Sequence, residues 1–228
     1  MRICAFSDMH GQYDFKVEPC DIVLICGDIV PLEIQWNMNK SLEWMETFFI
    51  PWCTNLPCEK VLFIGGNHDK VIKECTVEIK DMLKGQDKVV YLECETYEYK
   101  GKVIYGTPIC KIFGRRWSFM ESYEAQKERY ERHLKSIGKI DIIMSHDAAY
   151  GVSDVLLQKD CYWADGSHIG NPALREFLDA AKPSLFVFGH LHSCSHSKTE
   201  HNGTDAYCVS MLDEDYKLVY EPLYVDLE

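Results

Sequence analysis

A chain of 228 residues with 46% hydrophobic and 12% aromatic side chains has an ordinary globular composition, and one domain over residues 1–228 is the expectation. Its 36 acidic against 24 basic residues give a formal charge of -12, which argues against a broad footprint for duplex nucleic acid, so a polyanion must be attracted locally. No apolar run approaches the roughly 18 residues of a membrane span, and MRICAFSDMH lacks the apolar stretch of a signal peptide. Eleven cysteines without a C-x-x-C read as buried, reduced thiols, which places the expectation in the cytoplasm.

In chain order, RICAFS (2 to 7) and DIVLIC (21 to 26) predict strands, residues 40 to 53 a helix, KVLFIG (60 to 65) a strand and residues 70 to 84 a helix. KVVYL (88 to 92) predicts a strand and residues 96 to 106 an antiparallel hairpin around Gly101, while 110 to 120 is the least regular stretch. A helix over 121 to 136, a strand at DIIMS (141 to 145), a helix over 171 to 181 entered through Asn-Pro, and a strand at SLFVFG (184 to 189) follow. DAYCVS and YKLVYEP, within 205 to 222, predict a last antiparallel pair. The alternation argues for α/β, and the unbroken apolar strands for burial on both faces.

Five short segments follow the ends of apolar runs: Asp8 and His10 in SDMHG, Asp28 in CGDIV, Asn67 and His68 in GGNHD, His146 in MSHD, and His190 with His192 in FGHLH. Ligand sites of α/β folds collect beyond the carboxyl ends of strands. Residues i and i+2 of an extended segment face one side, so Asp8 converges with His10 and His190 with His192. Each has an ordinary explanation when taken singly, as a satisfied polar residue or a turn residue. Together they bring two carboxylates and several imidazoles to one rim with no basic residue to pair them, and metal is the economical explanation.

In this order, spanning positions 8 to 192, the segments resemble the signature of the calcineurin-like metallophosphoesterases. The resemblance implies two mixed β-sheets packed as a sandwich flanked by helices, with two divalent transition-metal ions at the strand ends. It assigns one ion to Asp8, His10 and His192 and the other to Asn67, His146 and His190, with Asp28 bridging. His68 is then the acid or base, and Asp69 either orients it or serves as a helix-entry carboxylate. Such ligands, without thiolate, suit Mn, Fe, Zn, Co or Ni. Two ions, offset by two carboxylates and a bridging hydroxide, leave about one positive charge to attract a small phosphate ester, which the hydroxide attacks in line.

Protein Ser/Thr phosphatases and diadenosine tetraphosphate hydrolases of this superfamily carry G-D-x-x-D-R-G, whereas Gly27-Asp28-Ile29-Val30-Pro31-Leu32-Glu33 lacks the second acid and the Arg. A monoanionic diester needs less positive charge than a dianionic monoester. The expected activity is therefore hydrolysis of small phosphodiesters such as cyclic nucleotides, as the resemblance to the small phosphodiesterase-like branch, including metallophosphoesterase-domain-containing proteins, also implies. Arg115 and Arg116, with Trp117, read as a lid that grips phosphate and stacks a base, or as a solvated basic pair. His168 in GSHIGNP reads as a substrate contact or a helix-entry residue. Two alternatives stand beside this: a nuclease acting on short or single-stranded ends, opposed by the acidic charge and the short chain after His192, and a catalytically silent binding scaffold, opposed by the presence of His68 and all seven ligand positions.

Overall fold

The computed structural model describes residues 1–114, 116–155, 167–194, 196 and 198–227. Strands β1 (Arg2–Phe6) and β2 (Ile22–Ile25) lead into α1 (Met38–Trp44), a π-helical turn at Met45–Phe49 and α2 (Ile50–Asn55). Then come β3 (Lys60–Phe63), α3 (Lys70–Glu74), α4 (Thr76–Met82), β4 (Val89–Tyr91), β5 (Glu95–Tyr99) and β6 (Lys102–Thr107). Two short strands, β7 (Cys110–Lys111) and β8 (Met120–Glu121), precede α5 (Tyr123–Ile137), β9 (Ile142–Ser145), α6 (Pro172–Ala181) and β10 (Leu185–Phe188). The chain closes with β11 (Lys198–His201), β12 (Thr204–Cys208) and β13 (Leu223–Asp226).

Two mixed sheets result, one ordered β13-β1-β2-β3-β4 and the other β11-β12-β10-β9-β6-β5. Parallel strands occupy the centres, and antiparallel β13, β11 and β5 form edges. Strands β2, β9 and β10 are buried at every position, as expected of strands covered on both faces. Alternation divides their side chains into two layers. Ile3, Ala5, Ile22 and Leu24 of one sheet meet Ile104, Ile142, Leu185 and Val187 of the other in an inner cluster. Cys4, Phe6, Val23, Ile143, Phe186 and Phe188, from the opposite faces, join a second cluster with Phe49 and Phe177 of the helices. Fully burying each such Ile, Leu, Val or Phe contributes about 1.5–3 kcal/mol.

Three expectations need correction. The helix over 40 to 53 is not uniform: Pro51 has no N–H for the turn before it, and the chain widens into the π turn that directly precedes α2. The helix over 70 to 84 breaks at Cys75, where the Thr76 hydroxyl bonds back to the carbonyls of Ile72 (2.8 Å) and Lys73 (3.1 Å). The last full hairpin pairs β12 with β11, and the segment after it keeps only a short antiparallel bridge, Leu212 with Leu218, while β13 runs to β1. Asn202-Gly203, both at positive φ (50° and 84°), makes that turn, and Asn-Gly is the dipeptide such a hairpin favours.

The sheets are stitched together at their carboxyl ends. Ser7, just past β1, forms a parallel bridge with Ser210, just past β12, and its amide donates to the Val209 carbonyl at 2.9 Å. The loops after β1, β2, β3, β9 and β10 all leave from this end, and each carries one of the five polar segments.

Candidate active site

Backbone strain marks the seam. Asp8 (φ 56°), His10 (45°), Asp28 (53°) and His190 (71°) all lie in the left-handed region, which non-glycine residues rarely adopt and which clusters at functional sites. Two glycines make room for them. A Cβ on Gly66 would lie 2.2 Å from Asp28 Oδ1, and one on Gly189 would lie 2.3 Å from Asp8 Oδ2, so the loops approach as closely as backbone allows.

The side chains converge on the two buried carboxylates. Asp8 Oδ1 lies 3.5 Å from His192 Nε2, while Oδ2 accepts from the Ser210 hydroxyl (2.7 Å) and the His190 amide (2.9 Å). Asp28 Oδ2 faces His146 Nε2 at 3.4 Å, His10 Nε2 at 3.6 Å and His68 Nε2 at 4.0 Å, and Oδ1 accepts from the His68 amide at 2.8 Å. Asn67 Oδ1 is 2.9 Å from His146 Nε2, and the His190 ring centroid is 5.2 Å from that of His146. His146 Nδ1 is held by the Cys26 carbonyl and His192 Nδ1 by the Asp213 carbonyl, both at 2.8 Å, which turns each Nε2 toward the carboxylates.

This donor set fits divalent cations. Three groups of donor atoms lie within 4.8 Å of one another: Asp8, His10 and His192; His10, Asp28 and His68; Asp8, Asp28 and His146. Both ring nitrogens of His10 are buried without a hydrogen-bond partner, a costly state that ligation of one nitrogen relieves in part. Without cations the charges are balanced by protons. Burial opposes ionisation of Asp8, but the His192 bond and the His146 charge prevail and hold its carboxyl below the usual range. Burial likewise disfavours the His146 cation, yet the Asp28 charge lifts the imidazole to about 10. Cations can take over from these protons, and imidazole, carboxylate and amide donors select transition metals.

A model of the calcineurin-like phosphoesterase family matches residues 1–194. The chain belongs to that family. It is 24% identical over 246 residues to the lariat debranching enzyme of Homo sapiens, covering 90% of this chain and 44% of that protein. It is 23% identical over 253 residues to metallophosphoesterase domain-containing protein 1 of Homo sapiens, covering 99% of this chain and 71% of that one. The chain thus spans less than half the length of the debranching enzyme. In fold it resembles TT1561 of Thermus thermophilus, with a TM-score of 0.61 at 13% identity over 99% of this chain and 98% of the other. Calcineurin-like phosphoesterases use a dinuclear divalent metal centre, and the Asp8–Asp28 cluster offers candidate donors for one.

Above the cluster opens a cleft of about 260 Å³. His10, Asp28, Asn67, His190 and His192 form its floor, and His68, Phe113, Trp117, Glu214 and Tyr216 stand in its wall. Tyr216 sits edge-on to His10 (5.1 Å) and His192 (5.0 Å), on a loop tied down by Gln12, whose amide donates to the Tyr216 carbonyl at 2.8 Å.

Asp69 does not orient His68. Fully buried, its carboxylate accepts from the amides of Ile29 (3.0 Å), Val30 (2.9 Å) and Gly66 (2.9 Å), clamping the loop that carries Asp28 to the one that carries Asn67. It makes no side-chain cap to the helix that follows. The partner of His68 is Gln35, unmarked by any motif: His68 Nδ1 donates to Gln35 Oε1 at 2.8 Å, and Gln35 Nε2 donates to the Leu32 carbonyl at 3.1 Å. His168 is not in the cleft wall. Its Nδ1 bonds to Asp154, a buried acid that also accepts from the amides of Gly151 and Gly170. Arg116 is exposed and outside the cleft lining, whereas the adjacent Trp117 is part of it; Arg115 lies outside the described residues.

Proposed function

We propose that this chain is a metal-dependent phosphoesterase that hydrolyses phosphodiesters in preference to phosphomonoesters. Asp8, His10 and His192 would hold one ion and Asn67, His146 and His190 the other, with Asp28 shared. When bound, the ions acidify water and offset charge on the phosphoryl oxygens. His68 handles the proton. Gln35 accepts from Nδ1–H and so turns Nε2 toward Asp28, where it can deliver a proton to the departing oxygen. Because Gln35 is neutral, it fixes the ring without adding a charge beside the substrate.

The observation that carries the diester reading is the composition of the cleft. Its described lining residues include the carboxylate of Glu214 and no lysine or arginine. A monoester dianion entering there leaves its second charge without a cationic partner, and a diester does not have that charge. The similarity to a protein named lariat debranching enzyme supports a second reading, cleavage of a diester at a branch in a larger molecule rather than of a small diester. The ten described cysteines are all free thiols, which supports a reducing compartment such as the cytoplasm.

The test compares an activated aryl diester with the matching aryl monoester at one metal and one pH. The expected result is a kcat/KM at least about tenfold higher for the diester, equivalent to about 1.4 kcal/mol. A tenfold advantage for the monoester that Arg115→Ala removes would overturn the assignment and place that guanidinium in the site.

A further inference from the structure

Beside His68 the cleft wall continues outward as indole. The Trp117 ring centroid lies 4.3 Å from that of His68, tilted by 42°, and the Trp36 centroid lies 5.7 Å from Trp117 at 38°. Trp36 is 51% exposed, an unusual position for the largest apolar side chain, and Lys70 Nζ approaches its ring at 6.0 Å. Trp36 directly follows Gln35, so one short segment both fixes the His68 ring and exposes an indole against Trp117, just beyond the residues that line the cleft.

We propose that Trp36 and Trp117 form a stacking platform for a flat aromatic group on the leaving side of the substrate, with a nucleobase as its occupant. The inference rests on the phosphodiesterase reading above. There, His68 gives its proton to the departing oxygen, so the group bonded to that oxygen lies on the His68 side of the cleft, away from Asp8 and His146. Its next neighbours outward are Trp117 and then Trp36. Indole faces accept any base because every base has a π-face, so the platform recognises a nucleoside without fixing its identity. Lys70, at the outer edge, adds a positive charge where a further phosphate of the leaving group would pass.

The experiment measures kcat/KM for a dinucleoside monophosphate and for two analogues, each lacking the base on one side, in the wild type and in Trp36→Ala and Trp36→Phe. The products identify which nucleoside departs. The wild type is expected to prefer the intact substrate over the analogue lacking the leaving-side base by about tenfold to hundredfold, the scale of stacking one base on an aromatic ring. Trp36→Ala should bring that ratio close to one and Trp36→Phe should restore part of it. Hydrolysis of the intact substrate and this analogue at equal kcat/KM by the wild type, or a ratio untouched by Trp36→Ala, overturns the platform while leaving the diester reading in place. Failure of the wild type to hydrolyse any of the three diesters, with turnover of an aryl monoester, overturns both.

Discussion

Asp28→Asn is expected to lower kcat/KM by at least about 10²–10³-fold, the range for removing one preorganised electrostatic group, and to abolish stabilisation by metal. The substitution keeps the fold, because an asparagine oxygen can still accept from the His68 amide as Asp28 Oδ1 does at 2.8 Å. It replaces the oxygen that faces His10, His68 and His146 with a neutral NH₂ that repels a cation. In the wild type, metal at a hundred times its dissociation constant adds about 2.7 kcal/mol, which in a chain of this size raises Tm by about 5–10 °C. The variant should show none of that rise.

The metal-free variant should also lose part of a pH dependence. Burial first, and the Asp28 charge second, raise Asp69 to about 7 from its ordinary 3.8. For a carboxyl raised on folding, the stability from its proton is fully present below the unfolded value and is lost as pH rises through the folded one. Metal-free wild type should therefore lose stability between about pH 4 and 7 through this group. The loss should shrink in Asp28→Asn, as thermal melts across that range would show.

His68→Ala is expected to retain metal and to lose about 10²–10⁴-fold in kcat, the usual contribution of general acid–base catalysis. The ring borders the donor cluster, with Nε2 4.0 Å from Asp28 Oδ2, but its Nδ1 is committed to Gln35 and the ring packs against Trp117 and His10. A proton donor matters most when the departing oxygen is basic, so the deficit should be steepest for alkyl leaving groups and shallow for nitrophenolate. A rate unchanged with an alkyl ester, or loss of metal together with the ring, would contradict the role.

The sequence made the five polar segments legible because each ends an apolar strand, and strand ends of a parallel sheet share one edge by topology. Asp8, Asp28, Asn67, His146 and His190 could be grouped from spacing and order alone. Gln35 could not, since it meets His68 through the tertiary placement of a loop that carries no periodicity. Asp69 was misleading for a related reason: adjacency in sequence put it beside His68, while its carboxylate reaches back across the turn to Gly66 and the amides after Asp28. Tyr216 and Phe113 belong to no motif, and only the placement of their loops brings them to the cleft. The Asn202-Gly203 dipeptide is the local signal for the observed β11–β12 turn, and pairing the more apolar segments beyond it misses that signal.

Metal stoichiometry tests the central claim most directly. After reconstitution with manganese, iron, zinc, cobalt or nickel, elemental analysis of the purified protein should find two ions per chain. Anomalous diffraction should place both against Asp28, one beside Asp8, His10 and His192 and the other beside Asn67, His146 and His190. A protein that takes up no transition metal, or whose ions lie away from Asp28, would contradict the account.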